Sequence, residues 1–283
     1  MNSFRFSVFG VLVVGVAAGC KKDATFQEPI PPQAALHWVN AVPDTGVLDI
    51  RPIDIITNAA LMDAPFRGAH QFYQGIDAGT RRIRAFLSSG DPAITGVPIL
   101  DTTVSLTADN SYSLIYAGFA RTGSNPGRAM WLVPDAPTAP GANQVGIRIL
   151  HAGAGIGNVD INVTRRAADT LPDAPLVGNA AYKSVSNYFA FVRDTITADS
   201  LRVVVTAAGT KTPVLFSLRL PPGTVGDSTV NPIPGVRLAG SVFTAVIVPA
   251  SVVGSGAPQG GAFAAPSAVF LNDRRPPNTI PAP

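Results

Sequence analysis

The chain has 283 residues, 46% of them hydrophobic and 14% charged, with a formal charge of +3, a single cysteine and three histidines. That is enough apolar material for one large or two ordinary cores, and the low charge excludes a disordered polyelectrolyte. One cysteine excludes a disulfide framework, and without a basic cluster interleaved with aromatics there is no footing for nucleic-acid binding.

In chain order, the first element is a signal. Arg5 supplies a positive start, and Phe6 to Ala18 is an uncharged, mostly apolar run of 13 residues. As a helix it covers about 20 Å, short of the roughly 30 Å of a bilayer core, which suits the apolar region of a secretion signal. Ala17-Ala18-Gly19 then leads into Cys20, the sole cysteine. The segment resembles a bacterial lipoprotein signal, with Ala17 where that family most often has Leu. The resemblance implies cleavage before Cys20, lipidation of its thiol and acylation of the new amine. An ordinary cleaved signal beside a chance cysteine is the alternative. Two or more acyl chains hold a protein on a membrane stably, whereas one does so only marginally. Lys21 and Lys22 follow in place of the aspartate that tends to retain such proteins at an inner membrane. This favours the outer membrane where the host has two. Residues 20–33 include Glu28-Pro29-Ile30-Pro31-Pro32 and read as a stiffened tether.

Beyond the tether, short alternating apolar runs recur between Gly and Pro, which predicts many short strands. Strands are expected at Leu36–Ala41, Val47–Ile50, Arg81–Leu87, Ile99–Leu106, Tyr112–Ala117 and Ala129–Val133. A second set is expected at Val145–His151, Val159–Val163, Leu201–Thr206, Val214–Leu220, Val242–Val248 and Ala268–Leu271. The two sets align. Leu36-His37-Trp38-Val39-Asn40-Ala41 matches Ile147-Arg148-Ile149-Leu150-His151-Ala152, and Leu48-Asp49-Ile50 matches Val159-Asp160-Ile161 at the same offset. Ser111-Tyr112-Ser113 parallels Val242-Phe243-Thr244, Met130-Trp131-Leu132 parallels Val269-Phe270-Leu271, and Asp63-Ala64-Pro65 recurs as Asp173-Ala174-Pro175. An insertion around Pro221 to Gly235 is the chief difference in length. The expectation is two tandem antiparallel β-sandwich domains of immunoglobulin-like layout, 34–136 and 144–276, joined by a linker at 137–143 and followed by a tail at 277–283. A β-barrel is the structural alternative.

The segments Val145 to Ala152 and Asn158 to Ile161, with Ala181-Tyr182-Lys183-Ser184-Val185-Ser186-Asn187-Tyr188, resemble the opening of domain of unknown function 4397. The first repeat resembles it more loosely, through Val39 to Asp44 and Leu48 to Ile50. The resemblance implies a secreted or surface-anchored protein, often built in tandem, and implies no site residues.

Patterns that carry chemistry are sparse in the chain. His37, His70 and His151 lack metal-site spacing, and the expected role of His151 is a strand-end bond to a carbonyl. Asp49 and Asp160 interrupt equivalent strands, where such acids cap backbone N–H groups at turns or bulges. Asp101, Asp109 and Asp135 are scattered turn or edge candidates. Gly153 to Gly157 lacks the helix and the Lys-Ser/Thr of a phosphate loop, and no Gly-x-Ser-x-Gly elbow is present. The aromatics Trp38, Trp131, Phe189, Phe191, Phe243 and Phe270 fall mainly in expected strands and read as core by default. Phe72-Tyr73 and Tyr188-Phe189 are adjacent pairs at matching places, so one member of each pair faces away from its core. Those four residues are candidate ligand contacts.

The sequence therefore points to a non-enzymatic, lipid-anchored cell-envelope protein without metal or cofactor, serving as a structural or interaction module for an envelope protein or glycan. The alternatives are a carbohydrate- or cell-wall-binding surface lipoprotein and, as a minor reading, a surface hydrolase with an unrecognised site. A deep polar cleft holding convergent ionisable groups would count against the leading reading.

Overall fold

The computed structural model describes residues 30–54, 61–195 and 200–278. The signal segment, Cys20 and the rest of the tether before Ile30 lie outside the described residues. Sixteen strands make up nearly all of the regular structure. The first eight are β1 (Gln33–Asn40), β2 (Leu48–Pro52), β3 (Leu61–Ala64), β4 (Ala69–Asp77), β5 (Gly79–Leu87), β6 (Pro98–Leu106), β7 (Ser111–Ala117) and β8 (Ala129–Asp135). The second eight are β9 (Gln144–His151), β10 (Val159–Thr164), β11 (Val177–Ala180), β12 (Phe189–Val192), β13 (Arg202–Ala207), β14 (Val214–Arg219), β15 (Val242–Val248) and β16 (Ser267–Arg274). One helical turn, α1 (Pro92–Thr95), is capped by the Asp91 carboxylate on the Ala93 amide at 2.9 Å.

The strands form four separate four-stranded sheets in the orders β4-β1-β7-β8, β3-β2-β5-β6, β12-β9-β15-β16 and β11-β10-β13-β14. Adding eight to each label of the first pair of sheets gives the second pair, so the sequence repeat is a repeat of topology. Each half is a β-sandwich. Pairing is antiparallel except at the centre of one sheet in each half, where β1 runs parallel to β7 and β9 parallel to β15.

The ladders also refine the alignment of the halves. Trp131 pairs with Ile115, and Val269 pairs with the equivalent Val246. Trp131 therefore corresponds to Val269, and the match of Met130-Trp131-Leu132 to Val269-Phe270-Leu271 is out by one residue. Because strand side chains alternate, that slip exchanges the two faces. The partner of Asp63 also changes. Ala64 pairs with Leu48, and Ala180 pairs with Val159. Asp63 thus matches Asn179, not Asp173, and both take positive φ, 53° and 50°.

Three apolar cores stack through the molecule. One fills the first sandwich around Leu36, Ile50, Leu114 and Tyr116, and another fills the second around Ile147, Ile161, Phe243 and Ile247. A third joins the halves. It is formed by Val39, Ala41, Ile115, Ala117 and Val133 from the first and Leu150, Ala152, Val246, Val248 and Leu271 from the second. The sheets containing β1 and β9 thus meet through their outer faces, and from Pro32 onward the chain is one compact unit. This doubly covered position explains why β9 and β15 read as near-continuous apolar runs and why every residue of β15 is buried. The sheets on the far sides alternate instead, as Asp101, Thr103 and Ser105 do on the exposed face of β6.

Candidate functional site

The seam between the halves is polar at one end. The residues on the seam face are His37 and Val39 of β1 with Ala41 just past its end. The equivalent sets are Ser113, Ile115 and Ala117 on β7, Arg148 and Leu150 on β9 with Ala152 just past its end, and Thr244, Val246 and Val248 on β15. Each central strand thus places one polar residue and two apolar ones on this face. Asp135 at the end of β8 and Asp273 near the end of β16 complete the polar end, joined by Tyr73 of β4 and Tyr188 just before β12.

The groups converge closely. The Ser113 hydroxyl donates to the Asp135 carboxylate at 2.9 Å and lies 2.7 Å from His37 Nε2. His37 Nε2 is 3.2 Å from Asp135 and 3.8 Å from Asp273. Arg148 donates across the seam to Asp135 at 2.5 Å and to the Pro134 carbonyl at 3.3 Å, and within its own half to Thr244 at 2.9 Å. Tyr73 donates to Asp135 at 2.9 Å, while Tyr188 and Thr244 donate to Asp273 at 2.7 and 2.5 Å. The His37 ring stacks on Tyr73 at 4.2 Å, and the Arg148 guanidinium lies over the Tyr188 ring at 4.8 Å. The β1–β4 ladder breaks its register between Leu36 and Trp38, around His37, the kind of irregularity that re-aims a side chain.

Electrostatics separate the two carboxylates. Burial opposes ionisation of Asp135, but the hydrogen bond from His37 and the charge of Arg148 outweigh it and hold the carboxyl below its usual range. Burial raises Asp273 to about 6, against the pull of Arg148 and His37 and with the help of the Asp135 charge. Burial also raises Tyr73 and Tyr188, as do the neighbouring carboxylates. Arg148 is raised, because Asp135 and Asp273 outweigh the cost of its burial. His37 Nδ1 and Asp273 Oδ1 are buried without hydrogen-bond partners.

A serine, a histidine and an aspartate thus meet, but not as a nucleophilic relay. In a relay the carboxylate holds Nδ1, so that Nε2 can take the serine proton. Here Asp135 and Ser113 both face Nε2, and Ser113 gives its own proton to Asp135. The side chains of His37, Asp135 and Asp273 have no accessible surface, and Ser113 is fully buried. The convergent ionisable groups occupy a sealed seam rather than a cleft. In this arrangement their hydrogen bonds and ion pairs hold two sheets together.

The residues singled out in the sequence divide between the seam and other places. Tyr73 and Tyr188 are half-buried, with their hydroxyls turned into the seam. Phe189 packs on the second core, and Phe72 is half-buried under the Arg275 guanidinium at 4.5 Å. The tyrosines are equivalent, since Leu36 pairs with Gln74 and Ile147 with Phe189. The phenylalanines are therefore not equivalent. His70 contacts the Phe72 carbonyl at 2.9 Å and Gln74 at 2.8 Å. His151 accepts from the Gly153 amide and reaches the Gly157 carbonyl at 2.9 Å, closing the turn that contains Gly153 to Gly157, and burial lowers its pKa. Asn40 does the same work in the first half, accepting from the Val42 amide at 3.1 Å. Asp49 and Asp160 each accept from the positive-φ residue of the neighbouring edge strand, Asp63 and Asn179, at 3.0 and 2.7 Å. Among the described residues no group of three or more His, Cys, Asp or Glu could hold a metal ion.

Residues 33–162 match the family model Domain of unknown function (DUF4397). The match runs from the start of β1 into β10, so it covers the whole first half and only the opening of the second. No curated protein matches the chain. Among solved structures, a "putative adhesin" from Bacteroides ovatus is 10% identical over 86% of this chain and 94% of its own, with a TM-score of 0.25. A "putative cell adhesion protein" from Parabacteroides distasonis is 10% identical over 86% of this chain and 99% of its own, with a TM-score of 0.19.

Proposed function

We propose that the chain is a non-enzymatic interaction module of the cell envelope, anchored by lipid on Cys20, with its two sandwiches clasped into one body that meets an envelope protein or glycan through its outer surface. The observation that carries this reading is the use made of the reactive side chains. The histidine, serine, arginine and two aspartates that converge do so in a sealed seam, where they join the halves and reach no solvent. The Ala17-Ala18-Gly19-Cys20 junction and the Pro-rich tether support the anchor, and Lys21-Lys22 supports placement at an outer membrane. No helix among the described residues is long and apolar enough to cross a membrane.

Two measurements test the proposal. Panels of esterase, protease and glycosidase substrates are expected to give no turnover with the mature chain. Turnover that Ser113→Ala abolishes would make the seam a catalytic site and end the reading. In cells, Cys20→Ala is expected to move the protein from the detergent phase to the aqueous phase, and unchanged partitioning would remove the lipid anchor.

A further inference from the structure

The halves differ most in the link between their last two sheet crossings. β6 and β7 are joined by the four residues 107–110, whereas β14 and β15 are joined by the 22 residues 220–241. This longer link is a built element. Thr224 and Ile233 exchange two backbone hydrogen bonds, at 3.1 and 2.9 Å. The Asp227 carboxylate accepts from the Thr229 and Val230 amides at 2.8 and 2.7 Å, fixing the tip. At the base Val236 is fully buried in the second core. The two arms approach so closely that a Cβ on Gly235 would lie 2.0 Å from the Gly223 nitrogen, so only glycine fits there. The end of the chain then crosses the link, with the Asn278 amide donating to the Asp227 carbonyl at 3.1 Å.

Between the link and the crossing segment lies a crevice of about 460 Å³, within the range of about 300–1,000 Å³ typical of small-molecule sites. Pro232, Pro277, Val225 and Leu238 give it apolar walls. Its charged lining is Arg193 and Arg237, and no acidic residue lines it. Arg193 donates to the Arg237 carbonyl at 3.1 Å, which holds its side chain at the crevice. Neither guanidinium pairs with a carboxylate among the described residues, in contrast to Arg82, Arg84, Arg148 and Arg165. Guanidinium groups recognise carboxylate and phosphate by short, charge-assisted hydrogen bonds. Asn143 and Asn278 are the uncharged polar side chains of the lining, so the charge the crevice presents is cationic and favours an anion.

We propose that this crevice binds a small anion carried on an apolar body, a carboxylate or phosphate attached to a ring or short chain, with the anion on Arg193 and Arg237 and the body against the proline and aliphatic walls. The proposal rests on the reading of the chain as a binding module, and the two fail separately. Turnover would end that reading and leave the crevice, whereas absence of binding here would end the crevice and leave the module.

The test is calorimetric titration of the full chain with phenyl phosphate, benzoate, inorganic phosphate and the neutral benzyl alcohol. Phenyl phosphate or benzoate is expected to bind with a dissociation constant of about 1 mM or tighter, at least about tenfold tighter than inorganic phosphate or benzyl alcohol. Arg237→Gln removes a side chain with no hydrogen bond or ion pair among the described residues, so it is expected to keep the melting temperature and weaken phenyl phosphate binding about tenfold. Arg193→Gln combined with it is expected to abolish binding. No binding at 10 mM, equal binding of benzyl alcohol, or wild-type affinity in the double variant would each overturn the proposal. Vesicles of phosphatidylglycerol, set against phosphatidylcholine, identify the source. Selective displacement of phenyl phosphate by the anionic vesicles supports the site with a lipid headgroup as ligand, and binding that such vesicles leave intact supports it with a free anion.

Discussion

The two halves put the same four positions into their seam, and one exchange makes the contributions unequal. Tyr73, Ser113 and Asp135 answer to Tyr188, Thr244 and Asp273, but His37 answers to Arg148. Each stacks on the tyrosine of its own half. The imidazole makes its close contacts with Ser113 and Asp135 of its own half and reaches Asp273 only at 3.8 Å, whereas the longer guanidinium donates to Thr244 and, across the seam, to the Pro134 carbonyl, Ser113 and Asp135. Asp135 therefore has a cation in contact, and Asp273 has His37 and Arg148 no closer than 3.8 Å. Two copies of one fold can share a surface, and a single residue difference decides which copy carries the bridge and which carboxylate is left hard to ionise.

The comparison is broken most severely by removing the bridge. Arg148→Met leaves Asp135 buried without its cation, and breaking a buried pair in this way costs about 3–5 kcal/mol. Urea unfolding is expected to show that loss, while His37→Phe is expected to lose less because its cross-seam contact, with Asp273, is a long one at 3.8 Å. Next comes the apolar end of the seam. Leu271 is fully buried in the third core, and Leu271→Ala is expected to cost about 2–5 kcal/mol, also by urea unfolding. A loss below about 1 kcal/mol there would mean that the halves barely depend on each other.

A third test concerns pH. A carboxyl raised to about 6 in the folded chain, against about 4 unfolded, makes the folded state hold more protons over that window. Stability from this group is then fully present below about pH 4 and falls as pH rises through about 6, by at most about 3 kcal/mol. Asp135, held low, works the other way, adding stability above its unfolded value that is lost on acidification. The diagnostic is the difference in unfolding free energy between wild type and Asp273→Asn at pH 4 and pH 7. It is expected to move against wild type as pH rises, and a flat difference would contradict the raised carboxyl.

Much of the fold was legible in the sequence, and the omissions are the same in both halves. Six strands of each half were expected, and the same two were missed in both, β3 and β4 in the first and β11 and β12 in the second. All four lie at sheet edges, but so do β6, β8, β14 and β16, which were expected, so what hides the four is their own length and composition. β3, β11 and β12 are only four residues long, and β4 carries His70, Gln71 and Gln74. The seam was legible in part. The repeat set His37 against Arg148 and Ser113 against Thr244, and the alternation after each gave two apolar residues on the same face. Nothing in the sequence said that this face meets its own copy, so Asp135 read as an edge residue, and Arg148 and Asp273 were not singled out. One member of each aromatic pair was expected to face away from its core; that member is the tyrosine, and the face it takes is covered by the other half.

The central claim is that the halves are held as one body by a charge pair crossing the seam. A double-mutant cycle of Asp135→Asn and Arg148→Met, read by urea unfolding, tests it most directly. Coupling between residues in direct contact reaches about 3 kcal/mol, so the double variant is expected to be about 2–3 kcal/mol more stable than the sum of the single losses allows. Losses that simply add would show that the pair does not join the halves, and the account of the seam would fall with it.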